Sequence, residues 1–163
     1  MASFSLPALA LVVGMCVVMA VLGGMLTGNG LQTWYPGLRK PWFQIPLWAF
    51  IGVGIIGYLM DATILYRLMT KVPSRDGKVV TIAAMLILML YNELWNGAFF
   101  RLRSTLVGLV GLLGFLAPLA MAQIALAVYD RLSAGILLIY VLWYLLYDVP
   151  WAYALWRLNP PSQ

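Results

Sequence analysis

The sequence has no histidine, a single cysteine and few charged residues, and each scarcity excludes a class of function. Without histidine and with only Cys16, the usual zinc sites and an intrachain disulfide cannot form, and the commonest axial ligand of haem iron is missing. Only 9% of the residues are charged, against roughly 25% in an ordinary soluble domain. No basic run is long enough to follow a phosphate backbone, so nucleic acid is not an expected partner.

In place of charge the chain has 64% hydrophobic residues, and they fall into runs long enough to cross a bilayer. We therefore predict one all-α membrane domain over residues 1–163, a bundle of five transmembrane helices with a structured loop between the first two. The predicted spans are residues 6–26, 47–68, 79–100, 106–128 and 134–156. The lipid bilayer is the first expected partner, and the net charge of +5 favours anionic lipid head groups.

The first run could also be a cleaved signal peptide. We expect a span instead, because no basic segment precedes the run and no small-residue cleavage site follows it. An Arg- and Ser-rich presequence is not evident either, so import into an organelle by a cleaved peptide is not expected. The connections carry five Lys and Arg residues on each side of the membrane, so the positive-inside rule assigns no orientation.

The loop between the first two spans is unusually rich in rings for a connection. Residues 34–48 read WYPGLRKPWFQIPLW and combine five aromatic side chains with Arg39 and Lys40. An exposed ring cluster of this size promotes association. The loop is therefore expected to be covered, as the lid of a site or by the membrane interface.

Three acids interrupt the apolar spans, and an ionisable group at membrane depth indicates a site or a paired charge. Asp61 lies six residues before Arg67, and a local charge pair at a helix end is one interpretation. Glu93 and Asp148 lie about two turns inside their spans, at similar depth on the side of the loop.

Polar and aromatic side chains recur at helical spacing in the two spans that carry Glu93 and Asp148. Asn92 and Asn96 lie four residues apart on one helix face, with Trp95 beside them. In the fifth span the rings that share a face are those of Tyr140, Tyr144, Tyr147 and Trp151. The pattern predicts a ring-lined cavity between the second, third and fifth helices, with the loop as its lid. An interfacial aromatic belt is the alternative.

Three motifs, in order along the chain, resemble the TspO/MBR family, which includes bacterial tryptophan-rich sensory proteins and the mitochondrial translocator protein. The loop motif is matched by Trp34, Tyr35, Leu38, Lys40, Pro41, Phe43, Pro46 and Trp48. The third-helix motif is matched by Asn92, Trp95, Phe99 and Phe100, and the fifth-helix motif by Tyr140, Val141, Leu142 and Trp143.

The resemblance implies a homodimeric membrane protein that binds porphyrin, haem or sterols in a cavity and requires no cofactor. It also implies a bacterial membrane or the mitochondrial outer membrane as the location. The residues predicted to bind ligand are Trp34, Tyr35, Leu38, Lys40, Pro41, Phe43, Trp48, Tyr58, Asn92, Trp95, Phe99, Tyr140, Trp143 and Tyr144. Glu93, Asn96 and Asp148 are predicted to form its polar part, and Val149, Tyr153 and Arg157 match a weak sterol motif.

The chain departs from the family pattern at several points. Phe43 replaces a loop tryptophan, Ile45 replaces a proline, and Gly54 stands where the second helix is expected to supply a ring to the pocket. Beyond Trp143 the pattern shifts by one residue, near Pro150.

The leading functional hypothesis is a receptor or transporter for a flat, largely apolar ligand such as a tetrapyrrole, with Arg39 and Lys40 at the mouth for its propionates. A porphyrin-degrading photo-oxidative enzyme is an alternative, although no nucleophile with an adjacent base is apparent. An ion or proton conductor that uses Asp61, Glu93 and Asp148 is a third. Whether the protein is an enzyme at all stays open at this point.

Overall fold

The computed structural model describes residues 4–160, which are helical and contain no β-strand. The helices are α1 (Leu6–Thr27), the single-turn α2 (Gly30–Thr33), α3 (Leu47–Lys71), α4 (Arg75–Arg101), α5 (Thr105–Tyr129), α6 (Arg131–Trp143) and α7 (Val149–Leu158). A π-helical turn, Tyr144–Asp148, joins α6 to α7. Together they make the fifth of five segments long and apolar enough to cross a membrane, which confirms the predicted fold class.

Serine side chains begin three of the long helices. The Oγ atoms of Ser5, Ser74 and Ser104 each accept a hydrogen bond from a backbone N–H three residues later, as N-caps do. Because Ser74 acts as a cap, α4 begins at Arg75. Helices α3 and α4 extend beyond the predicted second and third spans by three and four residues at the ends that face this connection.

Helix α3 has fully buried side chains in one half only. Ile64, Leu65 and Leu68 have no exposed surface, and they all lie in its C-terminal half. Between Leu47 and Met60 no residue of α3 is buried. The N-terminal half therefore packs less tightly, with single side chains in contact with α4 and α7, and leaves space beside it.

An ion pair fixes the packed end of α3. Arg67 donates from Nε and Nη2 to the two carboxylate oxygens of Asp130, at 3.0 and 2.8 Å. Ser133 Oγ donates to the same carboxylate at 2.6 Å. Burial alone would raise the pKa of Asp130, but these hydrogen bonds and the charge of Arg67 lower it below its usual value. The predicted pair of Asp61 with Arg67 is wrong, because residues six apart lie on different faces of an α-helix.

The loop between α1 and α3 is held at the ends of α4 and α7. Trp34 packs edge-on against Phe99, with ring centroids 5.2 Å apart. Trp151 Nε1 donates to Gln44 Oε1 at 2.5 Å, and Ile45 N–H donates to the hydroxyl of Tyr147 at 3.0 Å. The loop is therefore structured, as predicted, and the rings of Trp34 and Phe43 pack on side chains at helix ends.

Near the C-terminus the side chain of Asn159 pairs with the backbone of the same loop. Its Oδ1 accepts from the N–H of Arg39 at 2.9 Å, and its Nδ2 donates to the Arg39 carbonyl at 2.8 Å. Thr105 Oγ1 donates to the Asn159 carbonyl at 3.0 Å. Asn159 thus connects the loop, α5 and the end of α7.

The π turn explains the shift of pattern in the fifth span. Val149 N–H donates to the carbonyl of Tyr144, five residues earlier, which is the π-helical hydrogen bond. A π turn contains one more residue than an α turn. The additional residue near Pro150 is accommodated there without interrupting the helix.

Candidate functional site

The space beside α3 is a cavity of about 520 Å³ with a predominantly apolar wall. Every membrane span contributes to that wall. The cavity lies beside the N-terminal half of α3, toward the loop. The polar side chains in the wall are those of Thr27, Tyr58, Asp61, Asn92, Glu93, Trp95, Asn96, Tyr140, Trp143, Asp148 and Trp151. Such a volume and such a lining are typical of small-molecule sites.

Glu93 is the buried centre of a hydrogen-bond network that spans the cavity. The Tyr58 hydroxyl on α3 donates to its Oε1 at 2.6 Å. The side-chain amides of Asn92 and Asn96 donate to its two oxygens at 3.2 and 3.3 Å. On the facing side is Gly23 of α1, where an added Cβ would overlap Glu93 Oε2. Three helices therefore hold this carboxyl group in place.

Asp148 is held by a residue of its own helix. Trp143 Nε1 donates to Asp148 Oδ1 at 3.0 Å, and the two residues stand five apart in sequence. The π turn brings residues with this separation to neighbouring positions. The indole of Trp143 also stacks on Tyr147, with ring centroids 4.5 Å apart. The turn thus supplies the wall with a fixed ring and a fixed carboxyl group.

Asp61 differs from the other two acids. It follows Tyr58 by three residues on α3, so both side chains face the cavity. Within residues 4–160 no side chain or backbone group donates a hydrogen bond to its carboxyl group, and its accessible surface faces the cavity. It is the one acid of the wall without a partner in the described part of the chain.

Trp95 and Tyr140 complete the aromatic part of the wall. Trp95 is fixed, since its Nε1 donates to the Gly108 carbonyl at 2.8 Å and its ring stacks on Phe99 at 5.4 Å. Tyr140 packs edge-on against Phe115, with ring centroids 6.1 Å apart. The rings contributed by α4 and by the fifth span are therefore positioned by contacts behind the wall.

The structure brings together part of the predicted site. Eight predicted residues line the cavity: Tyr58, Asn92, Glu93, Trp95, Asn96, Tyr140, Trp143 and Asp148. Two more, Phe99 and Tyr144, are buried behind the wall, where the Tyr144 hydroxyl donates to the Leu112 carbonyl.

The predicted residues of the loop lie outside the wall. These are Trp34, Tyr35, Leu38, Lys40, Pro41, Phe43 and Trp48, and only the loop's two margins, at Leu31 and Leu47, reach the cavity. Trp42 and Trp48 are 94% and 76% exposed, as rings of an interfacial belt are. The sterol-motif residues Val149, Tyr153 and Arg157 lie outside it too. A role in ligand binding for these residues stays a prediction.

Sequence reasoning missed the contribution of α1 and α5 to the wall. Ala20, Gly23 and Gly24 line the cavity from α1, and Leu112 and Phe115 line it from α5. Gly23 was the available signal, because a glycine opposite an embedded acid leaves room for it. Nothing in the apolar pattern of α5 distinguishes the face with Leu112 from the others.

Across residues 4–160 no three His, Cys, Asp or Glu side chains come close enough to hold a metal ion. The three carboxyl groups of the wall are thus separate polar groups of one cavity. They can accept hydrogen bonds from a ligand or balance its charge.

Comparison with known proteins was made for the whole chain. The sequence model of the TspO/MBR family matches residues 12–157. A tryptophan-rich protein TspO from Archaeoglobus fulgidus is 29% identical over 153 residues, which are 93% of this chain and 97% of that protein. One from Chlorobaculum tepidum is 26% identical over 135 residues, 83% of this chain and 85% of that protein.

Proposed function

The chain belongs to the TspO/MBR family of multi-pass membrane proteins, and we propose that it binds a flat, largely apolar ligand of the tetrapyrrole class in the cavity beside α3. The observation that supports the proposal is the cavity itself. Its volume of about 520 Å³ falls within the range of small-molecule pockets, roughly 300–1,000 Å³. Its wall joins apolar side chains to a few fixed polar groups.

The aromatic residues of the wall suit a planar ligand. Trp143 and Tyr140 present rings from the fifth span, and Trp95 presents one from α4. Aromatic pairs contribute about 0.5–1.5 kcal/mol beyond the area that they bury. Because the chain has no histidine, a free-base porphyrin suits the site better than haem iron.

The space beside the N-terminal half of α3 leaves room for a large ligand. Gly54 and Gly57 line the cavity, and an added Cβ would meet no atom within 4 Å at either position. The ring expected at position 54 is thus replaced by free space. The proposed ligand occupies the volume that this side chain would otherwise take.

Exchange of one aromatic residue tests the proposal. We expect Trp143→Ala to weaken protoporphyrin binding about tenfold, which corresponds to about 1.4 kcal/mol, because a stacking face of the wall is lost. Binding is measured in detergent from the change in ligand absorbance. Trp42→Ala is the matched control, since Trp42 is 94% exposed and lies outside the cavity.

Equal affinity in the wild-type protein and in Trp143→Ala would show that the ligand lies elsewhere. Loss of affinity in Trp42→Ala alone would place it at the loop. No saturable binding of protoporphyrin to the wild-type protein would reject the tetrapyrrole class.

A further inference from the structure

The three acids give the cavity a charge character opposite to that of the whole chain. The chain has a net charge of +5, yet within residues 4–160 no lysine or arginine side chain lines the cavity. We propose that, among flat aromatic ligands, the cavity prefers those with a basic nitrogen, which pairs with Asp61. This inference rests on the proposed function, since it takes the same cavity as the ligand site, and it adds the charge of the ligand.

The two cations that the sequence predicts for the ligand, Arg39 and Lys40, both lie outside the wall of the cavity. Lys40 Nζ donates to the Pro36 carbonyl at 3.3 Å and lies 5.1 Å from the centre of the Tyr35 ring, outside the wall. Arg67 is paired with Asp130 at the far end of α3. A ligand carboxylate inside the cavity would therefore meet three acids and no basic side chain of the described chain. The propionates of a tetrapyrrole would thus have to lie at the mouth of the cavity, away from these acids.

Asp61 is the acid that a ligand would contact. Glu93 already accepts three hydrogen bonds and Asp148 accepts one from Trp143. The carboxyl group of Asp61 accepts none from the described residues and is directed into the cavity. A polar group in apolar surroundings is costly when unpaired, and a charged one more so. A cationic nitrogen within hydrogen-bond distance removes this cost and forms a charge-assisted hydrogen bond.

The surrounding rings suit a cation as well as a planar ligand. Tyr58 lies one turn before Asp61, and Tyr140 and Trp143 line the same space from the fifth span. Ring faces within about 6 Å attract a cation, by about 2 kcal/mol when the cation is desolvated. A delocalised aromatic cation would make both contacts at once, ring on ring and nitrogen on carboxylate.

Three acridines of nearly equal size test the charge preference. They are 9-aminoacridine, which is cationic at neutral pH, acridine, which is neutral, and acridine-9-carboxylate, which is anionic. Binding to the purified protein in a non-ionic detergent is followed by the fluorescence anisotropy of the acridine. We expect the cation to bind at least tenfold more tightly than the anion, with the neutral compound in between, although the protein as a whole is positive.

Substitution of Asp61 assigns the preference to a residue. In Asp61→Asn we expect the affinity for 9-aminoacridine to fall about tenfold and the affinity for acridine to change less than twofold. Asp76→Asn removes the same charge from an exposed position in the first turn of α4, and should leave all three affinities unchanged.

The outcomes separate this inference from the proposed function. Equal binding of the three acridines, or a preference for the cation that persists in Asp61→Asn, would overturn the inference and leave the cavity as a site for flat ligands. Failure of all three to bind would overturn the inference, whereas the protoporphyrin titration decides the proposed function. An equal loss in Asp61→Asn and Asp76→Asn would show that overall charge sets the preference, and would overturn the role of Asp61.

Discussion

The two halves of α3 lie in different surroundings although they belong to one continuous helix. The C-terminal half buries Ile64, Leu65 and Leu68 completely, and Arg67 connects it to Asp130. The N-terminal half has no fully buried residue and places Gly54 and Gly57 beside an open cavity. One half therefore stabilises the bundle, and the other half is free to form a binding site at little cost to stability.

Truncation of leucines should separate the two halves most clearly. We expect Leu65→Ala to lower the free energy of unfolding by about 3 kcal/mol, because a fully buried leucine leaves a cavity behind. Leu59→Ala, at a position that is 63% exposed, should cost less than about 1 kcal/mol. Unfolding is measured in mixed micelles by titration with a denaturing detergent. Equal losses in both variants would contradict the division of α3.

The ion pair between Arg67 and Asp130 should make the stability of the protein depend on pH. Asp130→Asn is expected to cost about 2 kcal/mol at pH 7, because charged hydrogen bonds from Arg67 are lost. The pKa of Asp130 in the folded protein is lowered. Its contribution is therefore complete above the unfolded pKa, about 4, and is lost as the pH falls through the folded value.

The stability of the wild-type protein should thus approach that of Asp130→Asn in acid. Asp76→Asn, an exposed acid on α4, provides the control and should differ little from the wild type at any pH. A gap between wild type and Asp130→Asn that widens below pH 4 would contradict the assigned role of the pair.

Substitution of two glycines of the cavity by alanine should change the free energy of unfolding in opposite directions, and by smaller amounts. A methyl group on Gly23 would overlap Glu93 Oε2, so Gly23→Ala must displace that carboxyl group from its hydrogen bonds, at a cost of about 1–2 kcal/mol. Gly54→Ala meets open space and should stabilise the helix by up to about 1 kcal/mol. The same unfolding titration measures both, and a gain in stability for Gly23→Ala would show that Glu93 is not held as described.

The sequence was sufficient to predict the fold and the polar centre of the cavity. Hydrophobic runs of the right length predict five spans, and the acids Glu93 and Asp148 stand out because such residues are rare at membrane depth. The spacing of Asn92 and Asn96 placed both on one helix face, and the structure shows that both contact Glu93. Each of these inferences depends on local spacing along one helix.

Features that depend on how the helices pack against one another could not be predicted from spacing along a single helix. The loop rings pack on the ends of α4 and α7, and spacing within the loop does not reveal which surface they meet. Arg67 has acids before and after it in sequence, and only the packing of α3 against the start of α6 selects Asp130. The contributions of α1 and α5 to the cavity wall likewise depend on where the N-terminal half of α3 lies.

The π turn has a consequence for changes in chain length. Removal of one residue from an α-helix rotates everything beyond it by about 100° and would turn the face that carries Trp151 away from Gln44. Within Tyr144–Asp148 the same deletion would convert the π turn into a regular α turn and leave α7 in its present orientation. The fifth span thus keeps a spare residue at one place, and its loss there would remove the pairing of Trp143 with Asp148 while preserving the bundle.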